Sequence, residues 1–199
     1  MELVWFAFLA FAVVIVLFHA GEWLTQYVYN RSMCSIASLA IERHYIIAMS
    51  CALLEFIIES IFFPSLKTYT WICYLGILLT LLGDGIRKCG MITAGMAFTH
   101  LIQERRREGH NLITHGIYAY VRHPGYLGWF IWAPATQLIL MNPICVCVFA
   151  FVAWHFFYDR IPYEEETLVD MFGKEYEEYR KRVPSYIPFV DALTVNKEK

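Results

Sequence analysis

The sequence predicts an all-α, polytopic integral membrane protein with about five transmembrane helices. Hydrophobic residues make up 58% of the 199 residues, a larger share than soluble domains usually have. Five apolar stretches are long enough to cross a hydrocarbon core of roughly 30 Å, which takes about 20 helical residues. No stretch alternates polar and apolar residues as a barrel strand would, so the spans are expected to be helices.

The five predicted spans can be placed in order along the chain. No basic residue precedes the first apolar run, so we interpret it as a retained span and not as a cleaved signal peptide. Only Asn142 and Pro143 separate the last two spans, and this turn signal predicts a tight helical hairpin over residues 126–160. The spans cover approximately residues 3–28, 45–63, 70–88, 126–141 and 143–160.

Lysine and arginine are distributed unevenly between the two sides of the predicted membrane. If the chain crosses at each span, residues 29–44, residues 87–125 and the tail share one side, which carries all but one of the 16 basic residues. The opposite side carries only Lys67. Because cytoplasmic loops collect Lys and Arg, we expect residues 87–125 and the C-terminus to face the cytosol, and the N-terminus to lie outside it.

Beyond the fifth span, residues 163–182 are predicted to form a cytosolic amphipathic helix. Charged residues on it are spaced as i,i+4 pairs, for example Glu177 and Lys181. Gly173 is expected to bend this helix, and Pro184 to end it. Its apolar and aromatic residues recur at intervals of three or four and are Leu168, Met171, Phe172, Tyr176 and Tyr179.

Some kinds of site are not indicated by the sequence. The six cysteines lie mostly in apolar runs without a Cys-x-x-Cys pair, so we interpret them as small buried apolar residues. His110, His115 and His123 lack the spacing of a helical metal site, and we expect no metal ion. Residues 83–88 begin like a dinucleotide-binding glycine motif, but they lie in a predicted helix with no preceding strand. We expect no nucleic-acid partner.

Acidic residues within the predicted membrane are functional candidates. Glu55 and Glu59 lie one turn apart in the second span and therefore share a face. The alternative is that they pair with a neighbouring helix. His19 and Glu22 form a similar pair near the end of the first span, and His155 is expected to be a packing residue.

The fifteen residues 115–129 combine titratable, aromatic and glycine residues and do not resemble a membrane span. Pro124 lacks an N–H donor and biases His123 away from helix. We therefore predict a shaped, ligand-binding loop that leads into a new helix at Gly125 or Tyr126.

The hairpin of the last two spans should bring a second polar segment next to this loop. Both the loop and the residues after the fifth span emerge on the same face, so Arg160 and Glu164 are expected to be its spatial neighbours. Arg122 and Arg160 as simple membrane anchors remain the alternative.

Short motifs in the second half of the chain carry a resemblance to a known family. The core is Arg-His-Pro-Gly-Tyr-Leu-Gly at residues 122–128, and the match extends over about residues 87–190. It resembles the isoprenylcysteine carboxyl methyltransferase family. The core alone is also similar to segments of membrane phospholipid methyltransferases and sterol reductases. The longer match adds residues 94–100, 114–118, 136–137, 159–165 and 172–184.

The resemblance implies methylation of the C-terminal carboxylate of a farnesyl- or geranylgeranyl-cysteine, with S-adenosylmethionine as methyl donor. The expected partners are prenylated CaaX proteins such as small GTPases, together with membrane lipids, and the expected place is the cytosolic face of the endoplasmic reticulum membrane. We accordingly expect N-terminal membrane helices over residues 1–86 and a membrane-embedded catalytic core, with its cytosolic cofactor pocket and tail, over residues 87–199.

The resemblance also implies site residues. Arg160 corresponds to the residue that meets the prenylcysteine carboxylate and Glu165 to a neighbouring acid of the active site, so both are expected to be catalytic. Arg122 is expected to be structural. The cofactor pocket corresponds to Gln103, His110, Asn111, Leu112, Ile113, Tyr118, His123, Pro124, Gly125, Tyr126 and Glu164.

Two other functions stay open at this point. The core motif is compatible with a phospholipid N-methyltransferase, and the apolar character of the chain is compatible with a non-enzymatic membrane scaffold that binds lipid. A carboxylate substrate needs no general base, however, and an arginine can hold a carboxylate through two parallel hydrogen bonds. The residues present therefore suit carboxyl methylation.

Overall fold

The computed structural model describes residues 2–31, 34–99, 101–103 and 111–191. Every regular element in these residues is helical, which confirms the all-α prediction. Short 3-10 turns occupy Ile36–Leu39, Pro64–Thr68, Gly95–Ala97 and Gly116–Ala119. The α-helices are α1 (Glu2–Tyr29), α2 (Arg43–Phe62), α3 (Thr70–Ala94), α4 (Pro124–Ile139), α5 (Pro143–Phe172) and α6 (Lys174–Arg182).

Three stretches in the described part of the chain are long and apolar enough to cross a membrane. They are Glu2–Tyr29, Ile36–Phe62 and Pro143–Phe172. The other two predicted spans form α3 and α4, but α3 carries charged residues in its second half and α4 has only 16 residues. The chain is thus a multi-pass membrane protein, while the count of five spans stays a prediction.

The last long helix differs from the predicted arrangement. No break separates the fifth span from residues 163–172, because α5 continues through Pro162 to Phe172. Phe157, Ile161 and Glu165 are buried at i,i+4 spacing along one face, and this continuous buried face holds the helix together across the proline. Gly173 then ends α5 with φ 57°, and α6 follows as a separate short helix.

Helices α3 and α4 pack more closely than any other helix pair in the described residues. Gly76, Gly83 and Gly90 are two turns apart on α3 and share the face toward α4. A Cβ atom at Gly83 would lie 2.6 Å from the carbonyl oxygen of Gly128 on α4, so only hydrogen fits there. Small residues that let two backbones approach are the usual basis of helix packing in membranes.

A buried lysine holds the turn between α4 and α5. Lys67 is 1% exposed, and its Nζ donates to Glu59 at 2.7 Å, to Asn142 Oδ1 at 2.9 Å and to two carbonyl oxygens of the turn. Glu55 accepts hydrogen bonds from the backbone N–H groups of Ile144 and Cys145 at 2.8 Å each, at the first turn of α5. The acids of the second span therefore have structural partners.

The cysteines and the first intramembrane histidine also have plain structural roles. All six cysteines are free, but Cys51, Cys89 and Cys147 are exposed on the helix surface, so the expectation that they are buried is wrong for these three. A membrane protein presents apolar side chains to lipid, which explains why an apolar run did not imply burial. His19 bonds to the Leu39 carbonyl oxygen and the Tyr45 hydroxyl, both at 2.6 Å.

Candidate active site

The loop predicted from Pro124 is present in the structure. His123 has φ −124° and ψ 65°, which is outside the helical region, and α4 begins at Pro124 itself. The carbonyl oxygen of His123 accepts hydrogen bonds from the N–H groups of Tyr126 and Leu127 at 3.0 and 2.9 Å. Proline at the first helical position needs no such partner and already has the required φ. The fixed start of α4 therefore determines the positions of His123 and Tyr126.

Arg122 fastens this loop to the C-terminal segment. The residue is 4% exposed, and its guanidinium donates to Glu165 at 2.9 Å, to Asp191 at 2.7 Å and to two backbone carbonyl oxygens, those of Arg180 and Val183. Its own N–H donates to the carbonyl oxygen of Pro184 at 3.0 Å. All these groups belong to the protein, in keeping with a structural Arg122.

Glu165 lies behind the loop rather than in the open. It is 1% exposed and accepts a hydrogen bond from Arg122, and its Oε1 lies 3.2 Å from His123 Nε2. The structure thus brings Glu165 next to His123, but it does not place it among the residues that line the cavity described next.

One cavity gathers nearly all of the predicted cofactor residues. It opens between the loop before α4, the residues that follow α3 and the second half of α5. His110 lies outside the described residues. The predicted residues on the cavity wall are Gln103, Asn111, Leu112, Ile113, Tyr118, His123, Pro124, Gly125, Tyr126 and Glu164.

Half of the cavity wall was not found from the sequence. Arg87 reaches it from α3, and Phe98 reaches it from the turn that follows α3. Their signal was weak, because an arginine near a span end usually marks the membrane interface. The remaining unpredicted residues are Ala94, Ala97, Thr99, Arg122, Thr167, Leu168, Met171, Phe172, Tyr176 and Tyr179. Five of these, Leu168, Met171, Phe172, Tyr176 and Tyr179, were recognised only as the apolar face of a helix.

The cavity contains polar atoms that have no protein partner. Glu164 Oε2 is buried and has no hydrogen-bond partner among the described residues, its nearest basic neighbour being His123 Nδ1 at 3.9 Å. The hydroxyl of Tyr176 is also buried and has no hydrogen-bond partner among the described residues. Burial, and then the negative charge of Glu164, raise the pKa of the Tyr118 phenol, so Tyr118 stays a neutral hydrogen-bond donor. These atoms suit a polar, cationic ligand.

Arg160 lies on the other side of Tyr126, at the mouth of a groove on α5. The Tyr126 hydroxyl accepts a hydrogen bond of 2.9 Å from Arg160 Nε, and the Tyr126 ring is stacked on His123 and on Phe157. Tyr126 therefore separates the cavity from the groove and contacts both. The groove is lined by Ile102, Phe151, Val152, His155, Phe156, Asp159, Arg160 and Tyr163.

The groove is apolar along most of its length. Phe151 is 59% exposed and Phe156 48% exposed, on a helix that is long enough to cross a membrane. Arg160 and the exposed pair His155 and Asp159, whose side chains lie 3.4 Å apart, are its polar features. The arrangement offers an apolar surface that ends at a half-buried guanidinium.

Comparisons with known proteins point to one family. Residues 75–170 match the family described as isoprenylcysteine carboxyl methyltransferase. The chain is 47% identical to protein-S-isoprenylcysteine O-methyltransferase B of Arabidopsis thaliana over 178 residues, covering 89% of this chain and 90% of that protein. It is 42% identical to the protein-S-isoprenylcysteine O-methyltransferase of Homo sapiens over 182 residues, covering 90% of this chain and 64% of that protein.

A solved structure is similar to this fold over nearly the whole chain. It is described as the eukaryotic intramembrane Ras methyltransferase ICMT without a monobody. The two folds agree with a TM-score of 0.91 at 39% sequence identity, covering 93% of this chain and 67% of that chain.

Proposed function

Because the chain belongs to the isoprenylcysteine carboxyl methyltransferase family, we propose that it methylates the C-terminal carboxylate of a prenylated cysteine with S-adenosylmethionine as the donor. The observation that carries this proposal is the junction at Tyr126, where a polar cavity meets an apolar groove that ends at Arg160. One compartment suits a polar donor and the other suits a lipid with an acidic end.

The cavity residues fit S-adenosylmethionine. The buried carboxylate oxygen of Glu164 would accept hydrogen bonds from the ammonium group of the donor, and aromatic faces such as those of Tyr118 and Tyr126 suit its cationic sulfonium. Gln103 and Asn111 supply donors and acceptors for the nucleoside. With the ammonium group bound there, the buried carboxylate oxygen of Glu164 gains a partner of opposite charge.

The groove residues fit the prenylcysteine. An apolar chain would lie along Phe151, Val152 and Phe156, where it is buried without leaving the membrane. Arg160 Nε donates to Tyr126, and an arginine guanidinium can hold a carboxylate through two parallel hydrogen bonds. Arg160 is the residue that we assign to the substrate carboxylate.

The protein contributes alignment and dehydration to the reaction. When bound, S-adenosylmethionine supplies an electrophilic methyl group whose bond to sulfur breaks as a carboxylate oxygen bonds to the carbon. The bonding pair stays on sulfur, so the products are a methyl ester and S-adenosylhomocysteine, and no proton moves. Holding two reactants in line contributes a share of the roughly 7–11 kcal/mol available from orientation. Opposite charges disappear in this step, so a dry junction at Tyr126 favours it.

The residues behind the cavity hold this geometry. Glu165 is bonded to Arg122 and lies beside His123, whose ring is stacked on Tyr126. We assign Glu165 a positioning role, acting through His123 on the ring that separates the two compartments. This assignment replaces the catalytic role that was expected for Glu165.

The proposal extends to the place of action. We propose that α3 and α4 cross the membrane together with the three longer stretches, that the cavity faces the cytosol, and that the enzyme works in the endoplasmic reticulum on CaaX-processed proteins such as small GTPases. The uneven distribution of basic residues supports this orientation.

A methyl-transfer assay tests the proposal. Purified protein in micelles is expected to transfer labelled methyl from S-adenosylmethionine to N-acetyl-S-farnesylcysteine, and Arg160→Ala is expected to abolish the transfer while the thermal unfolding temperature is kept. Transfer to phosphatidylethanolamine with inert prenylcysteine would instead support a phospholipid methyltransferase. No thermal shift with S-adenosylhomocysteine and no transfer would favour a lipid-binding scaffold.

A further inference from the structure

A buried cluster of charges joins the first helix to the third. Glu22 on α1 is fully buried, and its two carboxylate oxygens accept hydrogen bonds from Arg87 Nε at 2.8 Å and from Arg87 Nη2 at 2.7 Å. Lys88 adds a third bond to the same carboxylate. A buried carboxylate paired in this way fixes the orientation of the guanidinium plane.

The same arginine reaches the wall of the cavity. Arg87 Nη1 donates to the carbonyl oxygen of Gly125 at 2.9 Å, and the guanidinium carbon lies 5.8 Å from the centre of the Phe98 ring. Arg87, Gly125 and Phe98 all line the cavity. The first turn of α4 is thus held, through Arg87, by a carboxylate that is itself outside the cavity.

The residue directly after α1 holds a neighbouring part of the same wall. Asn30 follows the last turn of α1, is 5% exposed, and donates from Nδ2 to the carbonyl oxygens of Met96 and Phe98 at 3.2 Å each. These two carbonyls belong to the segment that carries Phe98 into the cavity. The first helix and the residue that follows it therefore support two neighbouring parts of the cavity wall although neither Glu22 nor Asn30 lines the cavity.

We propose that Glu22 and Asn30 are positioning residues for binding of the methyl donor, so that the first membrane helix is part of the cofactor site. This inference rests on the proposed function. It also revises the expected division at residue 86, because residues before that point set the shape of the cavity. The ion pair between Glu59 and Lys67 is equally buried but lies at the α4–α5 turn, away from the cavity, and serves as the comparison.

The test compares Glu22→Gln with Glu59→Gln in the full chain. Each variant keeps the side-chain shape, removes one buried negative charge and leaves a basic partner behind. We expect Glu22→Gln to weaken S-adenosylhomocysteine binding about tenfold by calorimetry and to raise KM for S-adenosylmethionine to match, with KM for the prenylcysteine nearly unchanged. Glu59→Gln is expected to lower the unfolding temperature without changing either KM.

Asn30→Ala provides a second test that removes no charge. It is expected to weaken binding about threefold, and it decides the question if Glu22→Gln does not fold. If wild-type protein binds S-adenosylhomocysteine and the variants that fold bind it with the same affinity, this inference is overturned and the proposed function still stands. Wild-type protein that neither binds S-adenosylhomocysteine nor transfers methyl would overturn the proposed function and this inference together.

Discussion

The contact between α3 and α4 makes a quantitative prediction about stability. In Gly83→Ala, the new Cβ atom would lie 2.6 Å from the carbonyl oxygen of Gly128 and 2.9 Å from the Trp132 nitrogen, whereas ordinary contacts begin at 3.4 Å. Both neighbours are backbone atoms, so no side chain can turn away. The two helices must separate by about 0.8 Å, or the carbonyl must tilt by a similar amount.

The energy of this change follows from two opposing effects. Overpacking costs about 1–3 kcal/mol, and the higher helix propensity of alanine returns up to about 1 kcal/mol. We expect a net loss of about 1–2 kcal/mol and a fall of roughly 2–8 °C in the unfolding temperature. Because α4 begins at the cavity, binding of S-adenosylhomocysteine should weaken as well.

Gly85→Ala is the matched control for Gly83→Ala. Gly85 lies on the same helix, but its added Cβ would meet no atom within 4 Å. We expect its unfolding temperature, followed by circular dichroism in micelles, to stay the same or rise slightly. If the two variants unfold at the same temperature, the close approach of α3 and α4 does not determine stability and the argument from packing is wrong.

Three further predictions concern the site. Tyr126→Phe keeps the ring stacking but removes the hydrogen bond to Arg160, so kcat/KM for the prenylcysteine should fall about tenfold while S-adenosylhomocysteine affinity changes little. Arg122→Met removes the closer of the two guanidinium groups beside the buried Glu165, with Arg180 Nη1 left at 4.0 Å, and should lower the free energy of unfolding by about 3–5 kcal/mol, measured by denaturant titration. Glu164→Gln should weaken S-adenosylhomocysteine binding about tenfold by calorimetry, because one charge-assisted hydrogen bond is lost.

Each of these has a result that would contradict it. Equal losses of prenylcysteine turnover and donor affinity in Tyr126→Phe would show that the Tyr126 hydroxyl acts on the donor cavity and not specifically through Arg160. Unchanged stability in Arg122→Met would remove its structural role. Glu166→Gln, at an exposed neighbouring position outside the cavity wall, is the control for Glu164→Gln, and equal effects of the two would point to general electrostatics.

The sequence pattern around Arg122 and Arg160 does not distinguish their surroundings in the fold. Arg122 and Arg160 look alike in the sequence, since both lie near the cytosolic ends of predicted spans beside conspicuous neighbours. Their difference lies in their surroundings, because Arg122 is buried and bonded to residues as distant as Asp191, whereas Arg160 is bonded to Tyr126 and lines the groove. The resemblance indicated Arg160 as the arginine that meets substrate, and this assignment stays a proposal.

The spacing of the glycines of α3 indicates a close helix contact that the sequence analysis did not predict. Their seven-residue spacing places Gly76, Gly83 and Gly90 on one face, which a search for small residues at helical spacing would have found. The partner helix would still have been unknown, because the spacing says that something approaches closely and not what it is.

The sequence by itself determined the helical class, the membrane character and the family, because hydropathy and short motifs are properties of neighbouring residues. The family resemblance, together with the local backbone constraint at Pro124, also indicated ten of the residues that line the cavity. Only the tertiary structure decided that α1 supports that cavity and that Glu165 faces Arg122. Those contacts join Glu22 to Arg87 across 65 positions and Arg122 to Glu165 across 43, and such pairs form only when packing brings distant helices together.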